Sequence, residues 1–192
     1  MSSADSTVSR LLPEIPLRNL LLPGWLDSGP EHWQTRWEAL YGDQRVEQDD
    51  WQWPRRGDWM TRLEDQLLAS DRPALLVAHS LGCQLVAAWA AHSRHAERVV
   101  GALLVAPPDT ERPDIPSQLH GWRPIVRVAL PFAATVVISS DDPYCGSARA
   151  AEMAQQWSAG LVSIGPRGHI NGESGLADWP EGRSMLEALL PA

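Results

Sequence analysis

The amino-acid sequence predicts an α/β fold, a three-layer α/β/α sandwich built on a mainly parallel sheet of about five to six strands. Three observations carry that prediction. Short apolar runs alternate along the chain with stretches of helical periodicity. Several runs, such as A-L-L-V-A at 74–78, are apolar at every position, which suits strands covered on both faces. Strict alternation of strand and helix implies parallel neighbours joined by right-handed helical crossovers. The length of 192 residues then argues for one domain, because a chain of this size hides roughly 70% of its surface and needs no metal or disulfide staple.

The elements follow in order. Residues 1–16 read as a polar, flexible arm broken by Pro13 and Pro16, so the single folded domain is expected over 17–192. L-R-N-L-L-L (17–22) is a strand, and the turn P-G-W-L-D-S-G-P leads into a helix over about 31–40. A short strand is expected at 44–47. The helix over about 58–69 carries Trp59, Leu63, Gln66, Leu67 and Leu68 in a mostly apolar stripe. The buried strand 74–78 runs into a helix over about 81–93, and R-V-V-G-A-L-L-V-A (98–106) is a second buried strand. T-V-V-I-S-S (135–140), a helix over about 147–157, L-V-S-I (161–164) and a last helix over about 183–190 complete the series.

Composition excludes several partner classes. A net charge of −8 and a pI near 5.2, with no Lys/Arg run, give no attraction to nucleic acid or anionic lipid. Asp5 stands where a signal peptide would be basic, and no segment reaches the ~20 apolar residues of a membrane span. A cytoplasmic location is therefore expected, with Cys83 and Cys145 as free thiols.

In open parallel sheets ligands lie outside the carboxyl ends of the strands. Three predicted strand ends carry reactive residues: Ala78 leads into His79-Ser80, Ser140 into Asp141-Asp142-Pro143, and Ile164 into the loop holding His169. In A-H-S-L-G, Ser80 occupies the junction of an apolar strand and an alanine-rich helix. A serine hydroxyl is a weak nucleophile and needs such a sharp turn, where a base reaches its proton and backbone N–H groups receive the oxyanion. Gly82 leaves room for the turn, and Ala78 stands where glycine is usual. A serine here also serves as a helix cap. The N–H of Leu81, at the positive end of its helix, is the expected first oxyanion donor. Trp25, in the turn after the first strand, is the expected second.

Of the six histidines, His169 in R-G-H-I-N-G is the one placed to act as base. His79 points away from its neighbour and reads as structural. His92 and His95 share a helix end without an evident carboxylate or thiolate partner, so a solvated helix end is expected there rather than a metal site. Nothing selects His120. Asp142, ahead of Pro143, is the expected orienting acid, and the order Ser, Asp, His is the one this architecture requires. Asp141 and Asp109 are its rivals. Cys83 and Cys145 each stand three residues after a proposed catalytic residue and read as packing. Trp25, Trp33, Trp37, Trp51, Trp53 and Trp59 crowd one stretch; most are expected in the core, with Trp25 and the long loop 106–127 enclosing substrate.

The segments P-G-W-L-D-S-G-P-E-H-W, Q-D-D-W-Q-W-P, H-S-L-G-C, S-S-D-D-P-Y-C and G-H-I-N resemble, over about 18–190, the small α/β-hydrolase superfamily serine hydrolases typified by retinoblastoma-binding protein 9 and the YdeN-like proteins. The resemblance implies a minimal α/β-hydrolase without a large cap, a triad on Ser80, Asp142 and His169, and hydrolysis through an acyl-enzyme. Esterase activity is implied, with aminopeptidase-like activity in some relatives. The pocket-protein motif L-x-C-x-E has no counterpart, since L-G-C-Q-L (81–85) ends in Leu85, so pocket-protein binding is not expected. The expected substrate is a small ester or amide, with a thioester as a further option and no metal or organic cofactor. A non-catalytic interaction module that kept the fold is the alternative.

Overall fold

A computed structural model describes residues 16–190; the expected arm at 1–15 lies outside the described residues. The chain runs β1 (Arg18–Leu22), α1 (Trp33–Tyr41), β2 (Gln44–Arg45), α2 (Arg56–Leu68), β3 (Ala74–His79), α3 (Leu81–Ala90), β4 (Val99–Val105), β5 (Ala133–Ile138), α4 (Ser147–Gln156), β6 (Gly160–Ser163) and α5 (Pro180–Glu187). The six strands form one sheet in the order β2-β1-β3-β4-β5-β6, and every neighbouring pair is parallel. The chain therefore builds outward in one direction through β1 and β2, then reverses and builds the other way from β3. The point of reversal lies between β1 and β3, and a crevice opens there beyond the strand ends.

Alternation along each strand divides the core into two layers. Leu20, Leu22, Leu76, Ala78, Leu104 and Val136 face one side, where α2, α3 and α4 supply Leu63, Leu85, Trp89 and Met153. The odd-numbered partners Leu21, Leu75, Val77, Leu103, Val105 and Val137 face the other, against Trp33 and Trp37 of α1 and Leu186 of α5. Leu68 and Gln66, placed in the apolar stripe of α2 by sequence, lie outside the buried set; the face that packs is Trp59, Leu63 and Leu67. Period-3.6 spacing alone leaves the edge of such a stripe undefined.

Boundary differences have local causes. Helix α1 begins at Trp33 instead of about Glu31 because His32 is its N-cap, with Nδ1 accepting the N–H of Gln34 at 3.1 Å. Helix α3 ends at Ala90, three residues short of expectation, where the chain turns. Strand β2 is reduced to two residues at the sheet edge. Helix α5 spans Pro180–Glu187, three residues earlier than expected, with Pro180 in the first turn, where its missing N–H costs nothing.

Buried polar side chains tie the layers together. Gln34 of α1 donates to the Val77 carbonyl of β3 and accepts from Ser28. Arg18 at the start of β1 donates to the carbonyls of Gln66, Leu67 and Arg72, and so closes the C-terminal end of α2.

Candidate functional site

Strand β3 delivers Ser80 in a conformation that the rest of the fold must enforce. Its φ and ψ are 53° and −121°, a strained region for any residue but glycine. The elbow is held by the Ser80 N–H, which donates to the Val105 carbonyl of β4 at 2.9 Å. Two glycines make room. A Cβ on Gly82 would collide with the Leu22 carbonyl at the end of β1, and one on Gly24 would lie 2.7 Å from the Ser80 Cβ and 3.1 Å from its Oγ. Ala78 in the usual glycine position is fully buried without distorting the strand pairing.

The loop after β6 brings His169 over this serine, with Nε2 2.7 Å from Ser80 Oγ. The other ring nitrogen, Nδ1, faces both carboxylate oxygens of Asp142 at 3.0 and 2.9 Å. With Nδ1–H donating to the carboxylate, Nε2 carries the lone pair that faces the hydroxyl. Asp142 is itself fixed by the Tyr144 N–H at 2.9 Å, and its side chain is 4% exposed. Residues from the ends of β3, β5 and β6 thus converge on one point.

The rival carboxylates do other work. Asp141 accepts from Ser139 Oγ at 2.7 Å and from the Gly168 N–H at 2.8 Å, and these bonds hold its carboxyl below the usual range. Ser139 in turn accepts the Arg167 N–H. Asp141 therefore shapes the loop that carries His169. Asp109 pairs with Arg149 at 3.5 Å. His79, fully enclosed and held neutral by burial, donates from Nε2 to the His169 carbonyl at 2.9 Å. The structural reading of His79 thus gains a content that sequence did not supply. His92 and His95 have partners after all: His92 bonds the Ala88 carbonyl, and Glu64 of α2, the carboxylate missing from the local sequence, bonds His95 at 2.7 Å. His120 is exposed in its loop.

A cleft of about 750 Å³ opens over Ser80, walled by Trp25, Leu26, Ile115, Pro116 and Leu119. The turn at Trp25 and the loop 106–127 both contribute, as expected. The backbone N–H groups of Trp25 and Leu81 donate to no protein acceptor among the described residues. The indole of Trp25 is anchored instead to the Gln52 carbonyl at 2.9 Å. Cys83 and Cys145 are unpaired and buried, and burial pushes the Cys145 thiol up to about 12. Residues that sequence reasoning missed include Tyr144, whose ring lies edge-on to His169 at 4.5 Å, and His32, which joins the cleft wall. Tyr144 had one signal, its place directly after Asp142-Pro143, and His32 stood within P-G-W-L-D-S-G-P-E-H-W with no role assigned to it. Among the described residues no group of three or more His, Cys, Asp or Glu side chains is arranged to hold a metal ion, and no helix is long and apolar enough to cross a membrane.

Comparison with known proteins gives a family and a fold for the chain. The serine hydrolase family model matches residues 19–188. A YdeN-like hydrolase from Pectobacterium atrosepticum is 30% identical, covering 91% of this chain and 93% of its own, with a TM-score of 0.79. The ydeN gene product of Bacillus subtilis superposes at TM-score 0.70 with 20% identity, over 91% of this chain and 98% of its own. A carboxylesterase from Bacillus cereus shares the fold at TM-score 0.59 and 16% identity, over 90% and 88% of the two chains. Curated protein sequences give no significant match. The chain belongs to the serine hydrolase family, as a small α/β-hydrolase of the YdeN-like group, with no cap domain among the described residues.

Proposed function

We propose that the protein hydrolyses a small carboxylic ester or amide with an apolar acyl group, through an acyl-enzyme on Ser80. His169 Nε2 takes the Ser80 proton as Oγ attacks the carbonyl carbon, and Asp142 stabilises the imidazolium that results. The N–H groups of Trp25 and Leu81 receive the oxyanion; losing one such donor costs about 3 kcal/mol in the transition state. His169 then protonates the leaving alcohol or amine, and water attacks the acyl-enzyme by the same route in reverse. The apolar wall of Trp25, Leu26, Ile115, Pro116 and Leu119 accommodates the acyl chain.

The observation that carries the reading is the contact of 2.7 Å from Ser80 Oγ to His169 Nε2, with Nδ1 backed by both oxygens of Asp142. A fluorophosphonate probe should label the native protein and leave Ser80→Ala unlabelled, with turnover of a short-chain nitrophenyl ester following the same pattern. Equal labelling of Ser80→Ala would remove Ser80 as the nucleophile, and no turnover above Ser80→Ala would instead favour an interaction module that retains the fold.

A further inference from the structure

We propose that Arg45 is a positioning residue for the oxyanion hole, acting through Asp27 to hold the turn that presents the Trp25 N–H. The inference rests on the hydrolase reading above and adds to it the group that keeps the second donor in place before charge develops.

The turn is a costly one for its sequence. The Asp27 N–H closes it on the Gly24 carbonyl at 3.2 Å, with Trp25 and Leu26 at its centre. Leu26 and Asp27 both adopt the left-handed region, with φ of 68° and 67°. That region suits glycine, and two successive residues with side chains hold it only where the surrounding contacts impose it. There is also no slack toward the nucleophile. Gly24 lies so close to Ser80 that a Cβ on it would stand 2.7 Å from the serine Cβ, so any relaxation of the turn shifts the Trp25 N–H relative to the reacting atoms.

Two sets of contacts hold this conformation. The first half of the turn is tied to the segment after β2, through the Trp25 indole on the Gln52 carbonyl at 2.9 Å and the Leu26 N–H on the Trp51 carbonyl at 3.1 Å. The second half is held by Arg45, which pairs with Leu21 in the sheet and has only 9% of its side chain exposed. Its Nη1 donates to the Asp27 carboxylate and to the Ser28 carbonyl, the latter at 3.1 Å. Nη2 donates to Thr35 Oγ1 at 2.7 Å, and Nε and Nη2 both reach Glu38 of α1. Thr35 donates in turn to the same Ser28 carbonyl at 2.9 Å. The guanidinium thus makes as many bonds as it has N–H groups, and its planar fork fixes Asp27 and Ser28 against both α1 and the sheet. Solvated pairs elsewhere, such as Arg36 with Asp178, have neither this enclosure nor this set of partners.

The consequence for catalysis is selective. An oxyanion exists only in the transition state, so a displaced N–H still lets substrate bind but stabilises the developing charge less. Loosening the turn therefore lowers kcat and leaves KM nearly unchanged.

Asp27 variants test this without dismantling the fold, because Asp27 is 33% exposed and its replacement leaves Arg45 bonded to Glu38, Thr35 and the Ser28 carbonyl. With a short-chain nitrophenyl ester, Asp27→Ala should lower kcat about tenfold or more with KM within about twofold of native. Asp27→Asn keeps an acceptor for Arg45 and tolerates the left-handed region, so its kcat should stay within about threefold of native. Asp27→Gly takes the conformation freely without the tie and should fall between the two. Arg45→Met should lose at least as much as Asp27→Ala, whereas Arg36→Gln, which breaks an ion pair that does not touch the turn, should keep native kcat. An alkylboronic acid, whose tetrahedral adduct on Ser80 places an oxygen in the oxyanion hole, gives a second readout: its Ki should rise in Asp27→Ala by the factor that kcat/KM falls. A kcat within about twofold of native in Asp27→Ala, or a loss carried by KM with boronate affinity unchanged, would overturn the inference and leave the hydrolase reading standing. Equal losses in the Asn and Ala variants would overturn it too, since the charge of Asp27 and not its grip on the turn would then matter. A native protein that turns over no ester and takes no fluorophosphonate on Ser80 removes the hydrolase reading and this inference with it.

Discussion

Asp141 and Asp142 are adjacent, both polar, and both stand after β5, yet they face different partners. One carboxylate meets the ring of His169, and the other meets the backbone of the loop that carries it. Their substitution should separate the two roles. Asp142→Asn should lower kcat by roughly 10³–10⁴-fold with little change in KM, because the amide favours the wrong tautomer of His169. Asp141→Asn keeps the acceptor oxygen and should reduce kcat by less than about tenfold. Ester hydrolysis by both variants, measured beside native protein, decides whether Asp142 is the orienting acid; a larger loss at Asp141 would reverse the assignment.

The elbow depends on how closely α3 approaches the end of β1, and Gly82 permits that approach. Gly82→Ala should prevent the turn from forming and abolish fluorophosphonate labelling even where far-ultraviolet circular dichroism shows folded protein. Helix α2 has a comparable dependence on a residue from another element. Arg18 satisfies its terminal carbonyls from β1, at 3.0 Å to both Gln66 and Leu67. Replacing it by Met keeps the aliphatic stem and strips the donors, which should cost about 2–4 kcal/mol in urea unfolding. An effect below about 0.5 kcal/mol would mean that water replaces the guanidinium freely.

Across the molecule, the unusual stock of ten tryptophans is spent mainly on the core. Trp33, Trp37, Trp59, Trp89, Trp122, Trp157 and Trp179 are almost completely enclosed, whereas Trp53 is 57% exposed. Trp33 does more than fill space, since its indole N–H reaches the Ile170 carbonyl beside His169 at 2.9 Å. Enclosure also has a pH consequence. His32 and His79 are held neutral, with pKa values lowered by burial, so the unfolded chain binds more protons than the folded one once the pH drops below the ordinary histidine value. Stability should be full well above pH 6.5 and fall on acidification, by about 2 kcal/mol at pH 5 from His32 and in the same direction from His79. Carboxylates such as Glu64 and Glu111, held low by their partners, lose their contributions only at lower pH. Thermal unfolding at pH 7 and pH 5 checks this: His32→Asn, which preserves a cap acceptor for α1, should lose visibly less melting temperature than native protein between the two.

Periodicity was sufficient to locate the six strands and the five α-helices of the described residues to within a few residues, though not the three short 3-10 helices. Full burial of a parallel strand leaves an uninterrupted apolar run, and an amphipathic helix leaves its own spacing. Ser80, Asp142 and His169 were legible for the related reason that a strand end in a parallel sheet is both a chain position and a place in space. The sequence carried much less about what holds them. Glu64 beside His95, His79 beneath His169, Asp141 on the Gly168 N–H and Trp33 on Ile170 are contacts between residues far apart in the chain, created by the crossovers and by the reversal between β1 and β3. Local propensity and hydrophobic pattern reach only a turn or two along the chain, so the residue types and their order belong to the sequence, while distance, burial and protonation at the site come from packing.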